Sequence, residues 1–154
     1  MKNPINIELG LMHFKSLLKA RREDDKRYIF DSIRKKWLVL QPEELVRQLV
    51  IHYLLEEKGY NPNRISLERG FTYNKRNKRF DLLVYDKKVN PFLLVECKAP
   101  QVPITQDAFE QAAWYNMEWK VQYLLVTNGL VSYCCAINYD NRSYEYLEAV
   151  PDFA

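Results

Sequence analysis

Residues 79–98, RFDLLVYDKKVNPFLLVECK, hold two apolar runs joined by a short polar turn. Side chains in a strand alternate between faces, so in PFLLVECK Leu93, Val95 and Cys97 share one face. Leu94, Glu96 and Lys98 share the other. In RFDLLVYD, Arg79, Asp81, Leu83 and Tyr85 share a face. Asp86-Lys87-Lys88-Val89-Asn90-Pro91 is turn chemistry, so the two runs are expected to pair antiparallel. Setting Tyr85 opposite Phe92 then brings Asp81 beside Glu96, where the second strand leaves the core. Burying charge without compensation is expensive, so a carboxylate and an ammonium at the end of a core strand need a reason.

Two carboxylates about 5 Å apart repel by about 3 kcal/mol at an effective dielectric near 20. Lys98 offsets part of this. A divalent cation offsets more, and hard oxygen ligands with room for water suit Mg²⁺. A lysine beside such a cation suits water attack on a phosphodiester, since it stabilises developing negative charge. The same three residues would also suit a salt-bridge network at a sheet edge, because acid-any-lysine is a degenerate pattern.

Outward from this centre the chain reads as a mixed sheet with helices on its faces, an α/β or α+β domain. Residues 7–20 suggest a weak helix or irregular arm, so 1–27 is read as an N-terminal arm and 28–150 as the core. Tyr28 to Phe30 and Trp37 to Leu40 are strand-like. Gln41-Pro42-Glu43-Glu44 predicts a helix start, with proline in the first turn and acids favouring the dipole. Val46, Leu49, Val50, Tyr53 and Leu54 recur at helical spacing, and the helix is expected to reach about Lys58, stopping at Gly59. RISLERGF reads as a strand. Thr105 is a plausible N-cap for a helix to about Lys120. VQYLLVT is a strand, Asn128-Gly129 signals a hairpin into LVSYCCAINY, and NRSYEYLEAV reads as a last strand.

A length of 154 residues suits a single domain. No apolar run approaches the ~20 residues of a membrane span, and MKNPINIELG lacks a secretory pattern, so a cytoplasmic protein without a membrane partner is expected. Cys97, Cys134 and Cys135 form no CxxC pair, and His13 and His52 stand far apart, so zinc is not indicated and buried reduced thiols are expected. The net charge of +3 does not announce a nucleic-acid binder. Its clustering says more: Arg21, Arg22, Lys26 and Arg27; Arg34, Lys35 and Lys36; and Lys75, Arg76, Lys78 and Arg79, the last with no acid inside it. Any one of these could be a solvated surface; together they favour a phosphate-bearing partner.

Two helices add candidates. Asp107, Gln111 and Tyr115 lie four apart on one face, with Ala108, Ala112 and Ala113 beside them to allow close approach to a sheet. Gln111 and Tyr115 could reach a phosphate or the attacking water. In the first helix Glu44 shares a face with Gln48, and Glu43 with Arg47; either glutamate could supply a third carboxylate. The plain alternatives are a polar helix shoulder and ordinary first-turn acids.

PEELVRQLVIHYLLEEKGY, RFDLLVYD, FLLVECKAP, FEQAAWYN and YLLVTNG, in this order, resemble the PD-(D/E)xK nuclease superfamily. The likeness is to the N-terminal nuclease domain of type I restriction endonuclease R subunits, and it spans roughly residues 28–137. The resemblance implies a restriction-endonuclease-like core, a mixed central sheet flanked by helices with the site at a strand fork. It implies Asp81 and Glu96 as metal ligands for Mg²⁺ or Mn²⁺, and Lys98 as the lysine that orients or activates water. Gln111 and Tyr115 match a glutamine-tyrosine motif, and the helix glutamate falls on Glu44, preferred over Glu43. Phe80 stands where the superfamily name expects proline. The implied activity is a metal-dependent endodeoxyribonuclease of a restriction system, with Lys75, Arg76, Lys78 and Arg79 tracking DNA and with other restriction subunits or a second copy as partners. A non-catalytic module with the same fold, binding nucleic acid or protein, and an RNA-processing enzyme are the rival expectations. No GxxxxGK[ST] loop is present for the ATP-driven motor of R subunits, so either a fragment or a stand-alone relative is expected.

Overall fold

A computed structural model describes residues 4–67, 70–73, 76–79, 81–115 and 120–153, with the backbone alone for 70–73, 76–79 and Tyr115. The first helix is a 3-10 helix, Leu11–Leu17, where a weak helix is expected. A three-stranded antiparallel sheet follows: β1 (Ala20–Glu23), β2 (Lys26–Asp31) and β3 (Lys36–Val39). The expected arm is therefore already sheet by Ala20. Its turn explains this, because Asp24 and Asp25 both take positive φ, 49° and 65°, as a two-residue hairpin turn requires. The next turn is fixed by the buried Asp31 carboxylate. It accepts the amides of Ile33 and Arg34, each at 2.9 Å, and Arg34 Nε at 2.7 Å.

Helix α1 (Pro42–His52) starts where Pro42 predicts and continues through a π turn, Tyr53–Glu57. Gly59, at φ 66°, ends it. Short strands follow: β4 (Ile65–Leu67), β5 (Gly70–Tyr73), β6 (Arg76–Arg79), β7 (Leu82–Tyr85) and β8 (Pro91–Cys97). Helix α2 (Gln106–Tyr115) leads to β9 (Tyr123–Thr127), β10 (Ser132–Asn138) and β11 (Ser143–Tyr146). Thr105 caps α2 as expected, its Oγ1 accepting the Ala108 amide at 3.1 Å.

The central sheet has six strands in the order β11-β10-β9-β8-β7-β4. Only β8 and β9 pair in parallel, across the α2 connection; the rest are antiparallel. Mixed α+β architecture with a mixed sheet is thus present as expected. Two expected strands are each divided. RISLERGF splits into β4, in the central sheet, and β5, which pairs with β6 in a separate two-stranded hairpin. RFDLLVYD splits into β6 and β7, so Arg79 belongs to a different sheet from Leu83 and does not share its face. Strand alternation assumes an unbroken run, and this run breaks at Asp81, which sits in a bend.

The sheet has a core on each face. Leu82, Val84, Leu93, Val95, Cys97, Leu125 and Cys134 pack with Val46, Leu49, Val50 and Leu54 of the α1 region. Leu83, Leu94, Leu124, Val126 and Cys135 pack with Phe109 and Ala113 of α2. Cys134 and Cys135 are neighbours in sequence and lie in opposite cores, as strand alternation demands. All three cysteines are buried free thiols. Burying ~25 cal/mol per Å² of apolar surface on both faces makes β8 and β9 the anchor of the fold. No helix among the described residues is long and apolar enough to cross a membrane.

Candidate active site at the end of β8

The register of β7 on β8 decides what meets at the end of β8. Leu82 pairs with Val95, Leu83 with Leu94 and Val84 with Leu93, with a bulge only at Tyr85, which pairs with Pro91. The ladder ends at that Leu82–Val95 pair, and one further step on the same register would set Asp81 opposite Glu96. The bulge lies at the turn, where the Asp86 carboxylate accepts the amides of Lys88 and Asn90, both at 2.9 Å. It is absorbed there and leaves the far end in register.

Asp81 Oδ2 accepts the backbone amide of Cys97 at 2.7 Å. This bond carries the chain across the bend and holds the Asp81 carboxylate beside the Glu96–Lys98 stretch. Asp81, Glu96 and Lys98 are all partly exposed. The Lys98 amide continues the β9 ladder by donating to the Thr127 carbonyl at 2.9 Å. The lysine backbone is thereby fixed at a partly exposed position.

The Cys97 thiol lies inside this arrangement and reports its charges. Burial pushes its pKa well above the ordinary range, and Asp81 pushes further in the same direction. Arg47 opposes them, and Glu96 and Glu43 add to the rise. Charges from α1, from the β7 entry and from β8 thus act on one buried atom.

Helix α1 divides its two first-turn acids. Glu44 is buried and accepts from Arg47 Nη2 and, at 3.0 Å, from Gln48 Nε2. Gln48 in turn accepts the Ser32 amide at 3.4 Å, tying α1 to the β2–β3 turn. Glu43 is exposed and is the α1 acid whose charge reaches Cys97. The preferred Glu44 therefore stands in a buried ion pair within its helix.

On α2, Gln111 is exposed. At about 100° per residue it lies on the side opposite the buried Phe109 and Ala113, turned away from the sheet. The Tyr115 side chain lies outside the described residues. So does Lys75, and for Arg76, Lys78 and Arg79 only the backbone of β6 is described. That strand ends two residues before Asp81. Arg47 and the Cys97 amide were not legible as parts of the site. Arg47 reads in sequence as an ordinary helix arginine, and a backbone amide leaves no signal at all.

Among the described residues, no three His, Cys, Asp or Glu side chains form a ready metal cluster. Mg²⁺ asks for less, being bound commonly by one or two carboxylates with waters and phosphate oxygens completing its shell. The Asp81 and Glu96 donor chemistry fits that habit.

The family model described as type I restriction enzyme R protein N terminus matches residues 42–151. The chain belongs to this family. The family match takes in α1, Asp81, Glu96, Lys98 and α2, and leaves β1–β3 outside it. No curated protein matches the sequence. Among solved structures, a fragment of an HsdR subunit of a type I restriction enzyme from Vibrio vulnificus YJ016 is similar in fold, at 21% identity and a TM-score of 0.50. That similarity covers 73% of this chain and 24% of the other, so the chain spans about a quarter of its solved relative.

Proposed function

We propose that this R-protein N-terminal domain is a Mg²⁺-dependent DNA endonuclease module of a restriction system, acting in the cytoplasm. The observation that carries the reading is the β7–β8 register, which leads Asp81 to the Cys97 amide beside Glu96, with Lys98 two residues on. Asp81 and Glu96 would hold the cation, with Mn²⁺ an acceptable substitute. Bound there, a divalent cation would neutralise charge on the scissile phosphate and activate water. Lys98 would stabilise the negative charge that develops as the phosphodiester is attacked. Glu43 is the α1 carboxylate best placed to join them, while Glu44 positions Arg47. Lys75, Arg76, Lys78 and Arg79 would follow the phosphates of the bound strand towards the Asp81 bend, whereas Gln111, turned away from the sheet, is not brought to this group. Cutting both strands would call for a second copy or another restriction subunit.

The test mixes the whole chain with supercoiled plasmid and Mg²⁺, with EDTA and Lys98→Ala as controls. Nicking should require the metal, and Lys98→Ala should lose about 10²–10³-fold in rate. Metal-independent nicking, or equal cutting by the variant, would defeat the proposal. No cutting together with no discrete Mg²⁺ site by calorimetry would leave a non-catalytic binding module.

A further inference from the structure

The charge of the chain is unevenly placed. Residues 19–39 carry eight basic and four acidic side chains, while the remainder carries 15 and 16. The entire positive excess therefore sits on β1–β3 and its flanks.

That sheet has a buried face and an outer face. Ile29 and Asp31 of β2 are 1% and 0% exposed. Tyr28 and Phe30, before and between them, point the other way, and both they and Trp37 are half-buried. The register aligns Arg21 and Val39 with Tyr28, and Trp37 with Phe30. The Arg21 guanidinium lies 4.4 Å from the Trp37 ring centre and 5.9 Å from that of Tyr28. Lys19 Nζ lies 5.5 Å from the Phe30 ring. Phe30 and Trp37 meet edge to face at 5.3 Å. These aromatics belong to neither core of the central sheet. Val39, on the same face, is 50% exposed.

An outward face of aromatic rings interleaved with cations matches the chemistry of unpaired bases and their phosphates. Bases stack on aromatic rings and on arginine planes irrespective of sequence. A duplex hides its base faces; a single strand offers them. The pair that Arg21 makes with Glu23, at 3.5 Å, has both side chains about half exposed or more, 49% and 61%. Such pairs are worth little, so a phosphate can take the place of Glu23.

We propose that the outer face of β1–β3 binds single-stranded nucleic acid. Unpaired bases stack on the Trp37–Arg21 and Tyr28–Phe30 surfaces, and Lys19, Arg21 and Lys26 neutralise the phosphates. This surface uses none of Asp81, Glu96 and Lys98 and does not depend on cleavage there.

The test is fluorescence anisotropy of a labelled strand of about 12 nucleotides, bound to the whole chain in EDTA. Its arms are DNA, RNA of the same sequence and the corresponding DNA duplex. Single strands should bind more tightly than duplex and quench tryptophan emission; the DNA and RNA arms show which sugar is preferred. Trp37→Ala should weaken binding about 5- to 150-fold, the range expected for losing one stacked base. The double variant Lys19→Gln/Lys26→Gln, wholly on the surface, should reduce the salt slope by about 0.7 for each phosphate that a lysine no longer neutralises. It carries the test if circular dichroism shows that Trp37→Ala has unfolded. Duplex preferred over single strand, no binding at low salt, or binding and salt slope unchanged in the variants would each overturn the proposal.

Discussion

Glu44→Ala separates the two roles open to the α1 glutamates. In the fold Glu44 and Arg47 are both 6% exposed, so water cannot replace the carboxylate when it is removed. The truncation takes the carboxylate away from a buried guanidinium, which costs about 3–5 kcal/mol. Gln48, at 0% exposure, loses an acceptor at the same time and places the cost towards the upper end. For a domain of this size that corresponds to a fall in Tm of about 6–20 °C. Urea denaturation followed by circular dichroism reads the loss as a lower midpoint at unchanged slope. The Glu44→Leu/Arg47→Met pair should recover much of it, because replacing a buried ion pair with apolar groups of similar volume is often neutral. Glu43→Ala, at an exposed position of the same turn, should cost less than Glu44→Ala. If Glu43 supports the metal site, the same variant should slow plasmid nicking about 10- to 100-fold. A cost for Glu44→Ala below about 1 kcal/mol would refute the assignment of Glu44 to a structural pair.

Three further outcomes are expected. Asp31→Ala removes three bonds from a fully buried carboxylate, and should destabilise by about 3–5 kcal/mol in the same denaturation assay; a loss under about 1 kcal/mol would show that the β2–β3 turn holds without it. Gly129→Ala should cost about 1–3 kcal/mol, since φ is +92° and the new Cβ would meet Val46 Cγ2 at 3.3 Å. Gly59→Ala, with φ +66° and open space around it, should cost less, and the reverse order would argue against close packing of α1 on the β9–β10 turn. The His52 imidazole is held below its ordinary 6.5 chiefly by burial, against a smaller opposing effect of Glu56. The unfolded chain therefore takes up that proton first, so the contribution is complete above about pH 6.5 and is lost as pH falls towards the lower folded value. His52→Gln should narrow the stability difference between about pH 7.5 and about pH 5; an unchanged difference would remove His52 from the account.

Much of the fold could be read from local pattern. Pro42 and Thr105 mark helix starts through chemistry that acts within one turn, and both helices begin there. The expected β7–β8 pairing also held, because alternation of buried Leu and Val residues on two faces penalises any slip of one residue. The breaks in RISLERGF and RFDLLVYD were less legible. Their residues suit strands on either side, and only the exchange of partners, β4 with β7 and β5 with β6, divides them. The α1 region shows the same limit for the site. Glu43 and Glu44 are the same residue type one position apart, and no local rule says which one an arginine a turn further on will bury.

By itself the sequence determined the strand faces, the helix starts, the buried thiols and the presence of Asp81, Glu96 and Lys98 near one strand end. These follow from side-chain periodicity and backbone preference, which act over a few residues. Tertiary structure alone decided that Asp81 bonds the Cys97 amide, that Glu44 is committed to Arg47 inside the fold, and that the rings of Tyr28, Phe30 and Trp37 gather beneath the cations of β1–β3. Those outcomes depend on which segments pack together and which groups lose water when they do. The chain records that only through the whole fold.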